Sequence, residues 1–343
     1  MTARLDSNWQ YNDLRALVLD NPALQIMILP ETGARIYNII HKPTDTNFLW
    51  HHPRSLPRHI PYGSNFDNTW PGGWDEILPS TEETEYRGEK LPHMGELWSL
   101  PWEWREVPTD DGSACVYTGV SASILPLRFE RWLRLDAEQP VIHLRYRLTN
   151  LGLDPLDLIW GIHPLFAITP HHKIDLPACK GLVAQSSGAT LGEVGQTYQW
   201  PHLPTPQGTV DVSRIQPYET NVFGGHYATG LESNWFALTD TQRKVGIGMV
   251  YPADVFRALW MWQVYGGWRG LYHLAIEPWV GYPVRLEQAI EAGRQRILSP
   301  GQPLEYEMAA IAYTGVESVT AIESHDGHYR VVGSAKEPLD LTG

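Results

Sequence analysis

At 343 residues the chain is long enough for one large core or for two or three ordinary domains, so the pattern of its elements must decide the domain count. Hydrophobic residues make up 43% and charged residues 19%, and no apolar run is long enough to cross a bilayer, as expected of a soluble globular chain. Lys and Arg total 26 against 39 Asp and Glu, a formal charge of -13, which argues against nucleic acid and anionic membrane as partners and favours a neutral ligand.

The opening stretch MTARLDSNWQYNDLRALVLD shows no apolar run followed by a small-residue cleavage site, so the cytoplasm is the expected location. Cys115 and Cys179 lie 64 residues apart without metal or redox spacing and read as small buried hydrophobes. Fifteen Trp and 16 Tyr stand against only 7 Phe. Indole and phenol each join a flat apolar surface to one hydrogen-bonding tip, which suits the CH faces and hydroxyl edges of a sugar, although many of these rings must be ordinary core.

In chain order, Leu14 to Asp20 and Leu24 to Pro30 are apolar strand segments split by the turn pair Asn21 and Pro22, which predicts a hairpin. Gly33 then opens ARIYNII, a third strand with irregular alternation. From Phe48 to Pro101 the regular pattern vanishes into a segment crowded with Pro, Gly, His and Trp, expected to be a layered loop region walling a pocket. Its Asp75 and Glu76 read either as solvated loop carboxylates or as partners of sugar hydroxyls.

Strands resume at Ala114 to Ser123, Leu127 to Asp136 and Val141 to Thr149. In the second of these Phe129, Arg131 and Leu133 share one parity; in the third Ile142, Leu144, Tyr146 and Leu148 share one face, as in a sheet with a single face in the core. Further strands are expected at Leu156 to Trp160, Asn234 to Thr239, Lys244 to Val250, Arg257 to Gln263, Leu271 to Ile276, Leu304 to Tyr313 and His328 to Val332. No linker-like break, nucleotide-binding glycine loop or internal repeat interrupts this style, which predicts one all-β domain, a large antiparallel β-sandwich, over residues 1–343 with its core at approximately 14–315.

Three residues stand out as carriers of chemistry. His163, in LIWGIHPLFAI, follows an apolar segment and precedes Pro164, which restricts its backbone to extended geometry; it reads as a rigidly mounted catalytic group or as a strand-end histidine bonded to a carbonyl. Glu277, in YHLAIEPWVGYP, closes an apolar strand and should be exposed, paired or used. His93, in KLPHMGELWSLPW, is followed by Gly95 and by Trp98 and Trp102 as candidate stacking walls, and is otherwise a structural histidine. The doublets His51–His52 and His171–His172 make poor metal sites, because adjacent strand residues face opposite ways; loop caps or solvent-facing side chains are expected, with no metal.

Taken together, LPHMGELW, the run RFERWLRLDAEQPVIHLRYRLTNLGLDPLDLIWGIHPLF, LAIEPWVGYP and AGRQRILSPGQPLEYEM resemble the aldose 1-epimerase, or galactose mutarotase-like, superfamily in order and separation across most of the chain. The resemblance implies a large antiparallel sandwich with a sugar pocket on its concave face. It makes His163 the general acid, Glu277 the general base and His93 a substrate-positioning histidine. The family's early arginine has no secure counterpart; Arg58, in RHIPYGSNFDNTWPGGWDE, is the candidate, with Trp74, Asp75, Trp98 and Trp279 as further substrate contacts. Anomer exchange needs a proton removed from the anomeric hydroxyl and one delivered to the ring oxygen, and a carboxylate with an imidazolium supplies both without metal or redox cofactor. A noncatalytic carbohydrate-binding domain, or an epimerase of a modified or phosphorylated sugar, remains open on the sequence alone.

Overall fold

The structure, a computed structural model, describes residues 2–325, 327–334 and 339–340. The architecture is all-β, a large antiparallel β-sandwich, and among the described residues the α-helices are two short ones, Phe66–Thr69 and Leu286–Glu291. No helix among the described residues is long and apolar enough to cross a membrane. The chain divides into two compact units, Met1–Pro164 with Pro278–Met308, and Leu165–Glu277 with Ala309–Gly343.

In the first unit one sheet is laid down by β1 (Arg4–Tyr11), β2 (Leu14–Asp20), β3 (Leu24–Leu29), β4 (Arg35–His41) and β5 (Trp74–Ile77), each antiparallel to the one before. The β2–β3 turn forms as its residues predict: Asn21 Oδ1 accepts the backbone N–H groups of Ala23 and Leu24 at 2.8 and 2.6 Å. The irregular alternation near Ile36 has a cause in the ladder, where the β3–β4 register slips between Met27 and Ile28. A second antiparallel sheet runs through β6 (Glu103–Val107), β7 (Ala114–Ser121), β8 (Leu127–Leu135) and β9 (Val141–Asn150). On β8 strict alternation buries Phe129, Arg131 and Leu133 together, so a guanidinium occupies a core position.

The segment Phe48 to Pro101 corrects the loop expectation. Within it β5 is a fully buried strand, and its Asp75 and Glu76 are both 0% exposed rather than solvated. Gly72 and Gly73 lead into it at φ 85° and 82°. A Cβ on Gly72 would stand 2.3 Å from the Trp50 carbonyl oxygen, and one on Gly73 would stand 2.8 Å from that of Ile36, so only this glycine pair lets the chain enter beside β4. β5 then pairs with β10 (Gly161–Phe166) in the register Gly161↔Ile77, Ile162↔Glu76, His163↔Asp75 and Pro164↔Trp74. His163 therefore sits inside a strand, not at the end of one.

The second unit holds β11 (His172–Asp175), β12 (Lys180–Ser186), β13 (Val222–Thr229), β14 (Trp235–Asp240), β15 (Val245–Val250), β16 (Ala258–Tyr265) and β17 (Tyr272–Trp279, of which residues to Glu277 belong here). One of its sheets runs β17-β16-β13-β12; the other runs β11-β14-β15 and then residues 309–314 of β18 (Leu304–Thr314). Expected strand positions here hold to within a residue or three at most ends. Cys115 and Cys179 are buried free thiols, and burial pushes them up to about 11 and about 12. The doublets depart from expectation in part. His51 stacks on Tyr37 at 3.9 Å and His52 is buried, whereas His172 Nδ1 accepts the Thr169 N–H at 2.9 Å as a turn cap.

Close packing at the start of β10 gives a direct test. A Cβ on Gly161 would fall 2.2 Å from the indole of Trp279, which is 0% exposed. Gly161→Ala is expected to lower unfolding free energy by about 1–3 kcal/mol through overpacking, read as a lower urea midpoint at unchanged slope.

Candidate functional site

The register of β5 with β10 places Asp75 directly opposite His163, and their side chains meet: Nδ1 of His163 lies 2.6 Å from Oδ1 of Asp75. Arg35, at the start of β4, ion-pairs the other carboxylate oxygen at 2.8 Å and donates from Nη1 to the Gly72 carbonyl at 2.7 Å. Arg35 and Asp75 are 0% exposed and His163 is 1% exposed. Burial alone would raise the Asp75 carboxyl, but Arg35 and His163 override it and hold Asp75 below the usual carboxylate range.

Glu76 points to the opposite face of the same strand and heads a second buried group. It accepts from Tyr146 Oη at 3.1 Å and Trp160 Nε1 at 3.1 Å, with Arg131 Nη1 at 3.3 Å. Burial pushes its carboxyl up to about 7, against the pull of Arg131, Trp160 and Tyr146. Asp75 is thereby left as the ionised carboxylate in contact with both Arg35 and His163.

Phe66 is the aromatic hub of this region. Its ring, 1% exposed, stacks on Trp70 at 5.3 Å and meets Trp98 edge-on at 4.9 Å, His93 at 6.3 Å and His163 at 5.9 Å. The structure thus gathers His163, His93 and Trp98 around one side chain, with Asp75 joined to the group through His163. His93 is half-buried in a turn and its Nδ1 is buried without a hydrogen-bond partner. The turn is held rigidly. Gly95, at φ 74°, packs so tightly that a Cβ would lie 2.0 Å from the Leu78 oxygen. The Glu96 carboxylate accepts the N–H groups of Ser123, Ile124 and Leu125 at 2.8, 2.6 and 3.1 Å.

Other candidates fall elsewhere. Trp74, Trp98 and Trp279 are 0–1% exposed, and Trp102, at 4%, packs edge-on to Phe129 with Arg131 over its ring, so all four serve as core. Arg58 is exposed, while the arginine that reaches Asp75 is Arg35. Glu277 belongs to the second unit, inside β17 rather than at its close, and is 2% exposed. Arg35, Phe66 and Arg131 were invisible as site residues, although Arg131 had a signal: an arginine on the apolar parity of a strongly alternating strand. No group of three or more His, Cys, Asp or Glu among the described residues is placed to hold a metal ion.

Two titrations check these assignments. Asp75→Asn leaves Arg35 buried without its countercharge and is expected to cost about 3–5 kcal/mol. Because the Asp75 carboxyl is depressed in the fold, its contribution is present above the ordinary aspartate range and is lost as pH falls below about 4, so the acid limb of a stability–pH curve becomes shallower in the variant. Glu76 has the opposite sign. Between about 4.5 and about 7 the folded chain keeps a proton that the unfolded chain releases, so its contribution falls as pH rises, and urea midpoints of Glu76→Gln are expected to lose that downward slope.

No protein-family model and no curated protein matches the sequence. Solved structures do match. A putative aldose 1-epimerase from Klebsiella pneumoniae superposes with a TM-score of 0.70 at 12% identity, over 90% of this chain and 83% of that one. A galactose mutarotase-like protein from Clostridium acetobutylicum gives 0.64 at 11% identity, over 92% and 99%. A putative aldose 1-epimerase from Escherichia coli K12 gives 0.60 at 15% identity, over 87% and 98%. The chain thus shares its fold with proteins described as putative aldose 1-epimerases and galactose mutarotase-like.

Proposed function

We propose that the chain is an aldose 1-epimerase that interconverts the α and β anomers of an aldose through ring opening. The buried Asp75–His163 hydrogen bond carries this reading. A carboxylate on Nδ1 fixes the orientation of the ring, and it stabilises the imidazolium, the form from which a general acid gives its proton. The proton delivered to the sugar's ring oxygen is then carried at Nε2. Glu277, the buried carboxylate of β17, serves as the base that takes the proton of the anomeric hydroxyl. Rotation about the C1–C2 bond of the open chain and reclosure give the other anomer, with the two proton transfers reversed.

His93 supports the same reading: a buried ring nitrogen without a protein partner is suited to a ligand hydroxyl, and the Glu96 clamp keeps it in place. Asp75 acts here as a positioning residue, both of its oxygens being engaged by Arg35 and His163. The resemblance in fold to a galactose mutarotase-like protein and to putative aldose 1-epimerases agrees with this chemistry.

Anomer-resolved NMR across a panel of aldoses tests the proposal. Wild type is expected to equilibrate anomers faster than the spontaneous reaction, with the acceleration lost in His163→Ala and Glu277→Ala and reduced about 100-fold or more in Asp75→Asn. Saturable sugar binding without any acceleration would instead identify a binding module.

A further inference from the structure

We infer that Trp260 and Trp262 form the stacking face for the sugar at Glu277, and that this sugar is a neutral pyranose rather than a sugar phosphate; the inference rests on the reading of Glu277 as the base. The candidate walls Trp98 and Trp279 are spent on the core, yet the second unit keeps tryptophans half-exposed on the sheet that carries Glu277. Alternation along β17 puts His273, Ala275 and Glu277 on one face. The Trp262 ring of the adjoining strand β16 meets His273 at 4.8 Å, so Trp262, and Trp260 two residues before it, share that face.

Both indoles are held in fixed orientations. Trp260 contacts its cross-strand neighbour Tyr227 at 4.7 Å and lies over Gly225, where a Cβ would stand 2.0 Å from its Cη2. Trp262 is braced by Trp268 at 5.1 Å as well as by His273. Rings ordered before a ligand arrives cost little further entropy on binding. A half-exposed indole is an apolar surface beside a carboxylate, the pairing that a pyranose needs for its CH face and its hydroxyls.

The charge pattern selects the substrate class. Strands β13, β16 and β17 contain neither lysine nor arginine. Arg269, in the β16–β17 turn, lies over the Trp268 ring at 4.7 Å. A phosphoryl group beside Glu277 would meet a carboxylate on strands that supply no lysine or arginine to offset it. A neutral ring meets no such penalty.

The test combines ligand-observed saturation-transfer NMR with anomer-exchange kinetics, using glucose and galactose and their 6-phosphates, on wild type and on Trp260→Leu, Trp262→Leu, the double variant and Gly225→Ala. Saturation is expected at the ring CH protons of a neutral sugar. Each leucine variant should raise KM about tenfold or more with a smaller change in kcat. Trp260→Phe and Trp262→Phe, which keep an aromatic face, should restore most of the affinity, and they separate lost stacking from lost folding. Unchanged KM in the double variant, or higher kcat/KM on a 6-phosphate than on its parent sugar, overturns the inference while leaving anomerase activity standing. Absence of both exchange and binding with every sugar overturns the underlying reading as well.

Discussion

A carboxylate with no access to water, held between a guanidinium and an imidazole, is the constraint around which the first unit is arranged. Asp75 cannot be buried alone, because an unpaired charge in an apolar interior costs far more than one element's packing returns. Arg35 supplies the countercharge, and β4 must therefore run beside β5. The glycine pair that makes this approach sterically possible follows from the same demand. His163 takes the remaining oxygen only because β10 pairs with β5 in the one register that sets residue 163 opposite residue 75; a slip of one residue would turn the imidazole to the other face.

The second carboxylate of β5 shows how adjacent residues of one strand come to do different work. Asp75 and Glu76 face opposite sides, and each has its own arginine. Asp75 is held ionised, whereas burial lifts Glu76 to about 7 despite a cation and two neutral donors. The longer side chain reaches the Tyr146 and Trp160 tips, so Glu76 also satisfies two aromatic polar groups that the core would otherwise strand. Its role is to hold β5 to the layer of β8 and β9, and the strand thereby becomes a stiff mount for Asp75.

Much of the fold was legible because it rests on local rules. Leu14–Asp20 and the alternation of Leu127–Leu135 could be read from residue types alone, since a turn-forming Asn and a period of two act within a few residues. His163, His93 and Glu277 could be singled out as candidates from their local setting, whereas the scaffold around Asp75 could not. The WDEI run has two carboxylates where a buried strand should be apolar, and only partners distant in sequence, Arg35 and Arg131, make it one. The same holds for Phe66: one phenylalanine in a four-residue helix carries no periodic signal, and its importance lies in the rings that converge on it. Tertiary charge pairing and aromatic convergence are not encoded in any window of neighbouring residues.

The tryptophan excess, first noticed as composition, serves no single purpose: some indoles fill the interior, while others, Trp50, Trp104, Trp132 and Trp200 among them, stay partly open. Trp74, Trp98, Trp160 and Trp279 are filled into the interior, where an indole contributes its large apolar area and, for Trp160, a donor to Glu76. Trp260, Trp262 and Trp268 remain partly open to solvent within nine residues of one another. Leaving such rings half-wet forgoes part of the burial term, about 25 cal/mol per Å² of apolar surface. Flanking tyrosine and histidine rings nevertheless keep Trp260 and Trp262 in set orientations. Partly uncovered indoles held in set orientations on the strand beside Glu277 are what the proposed stacking face requires.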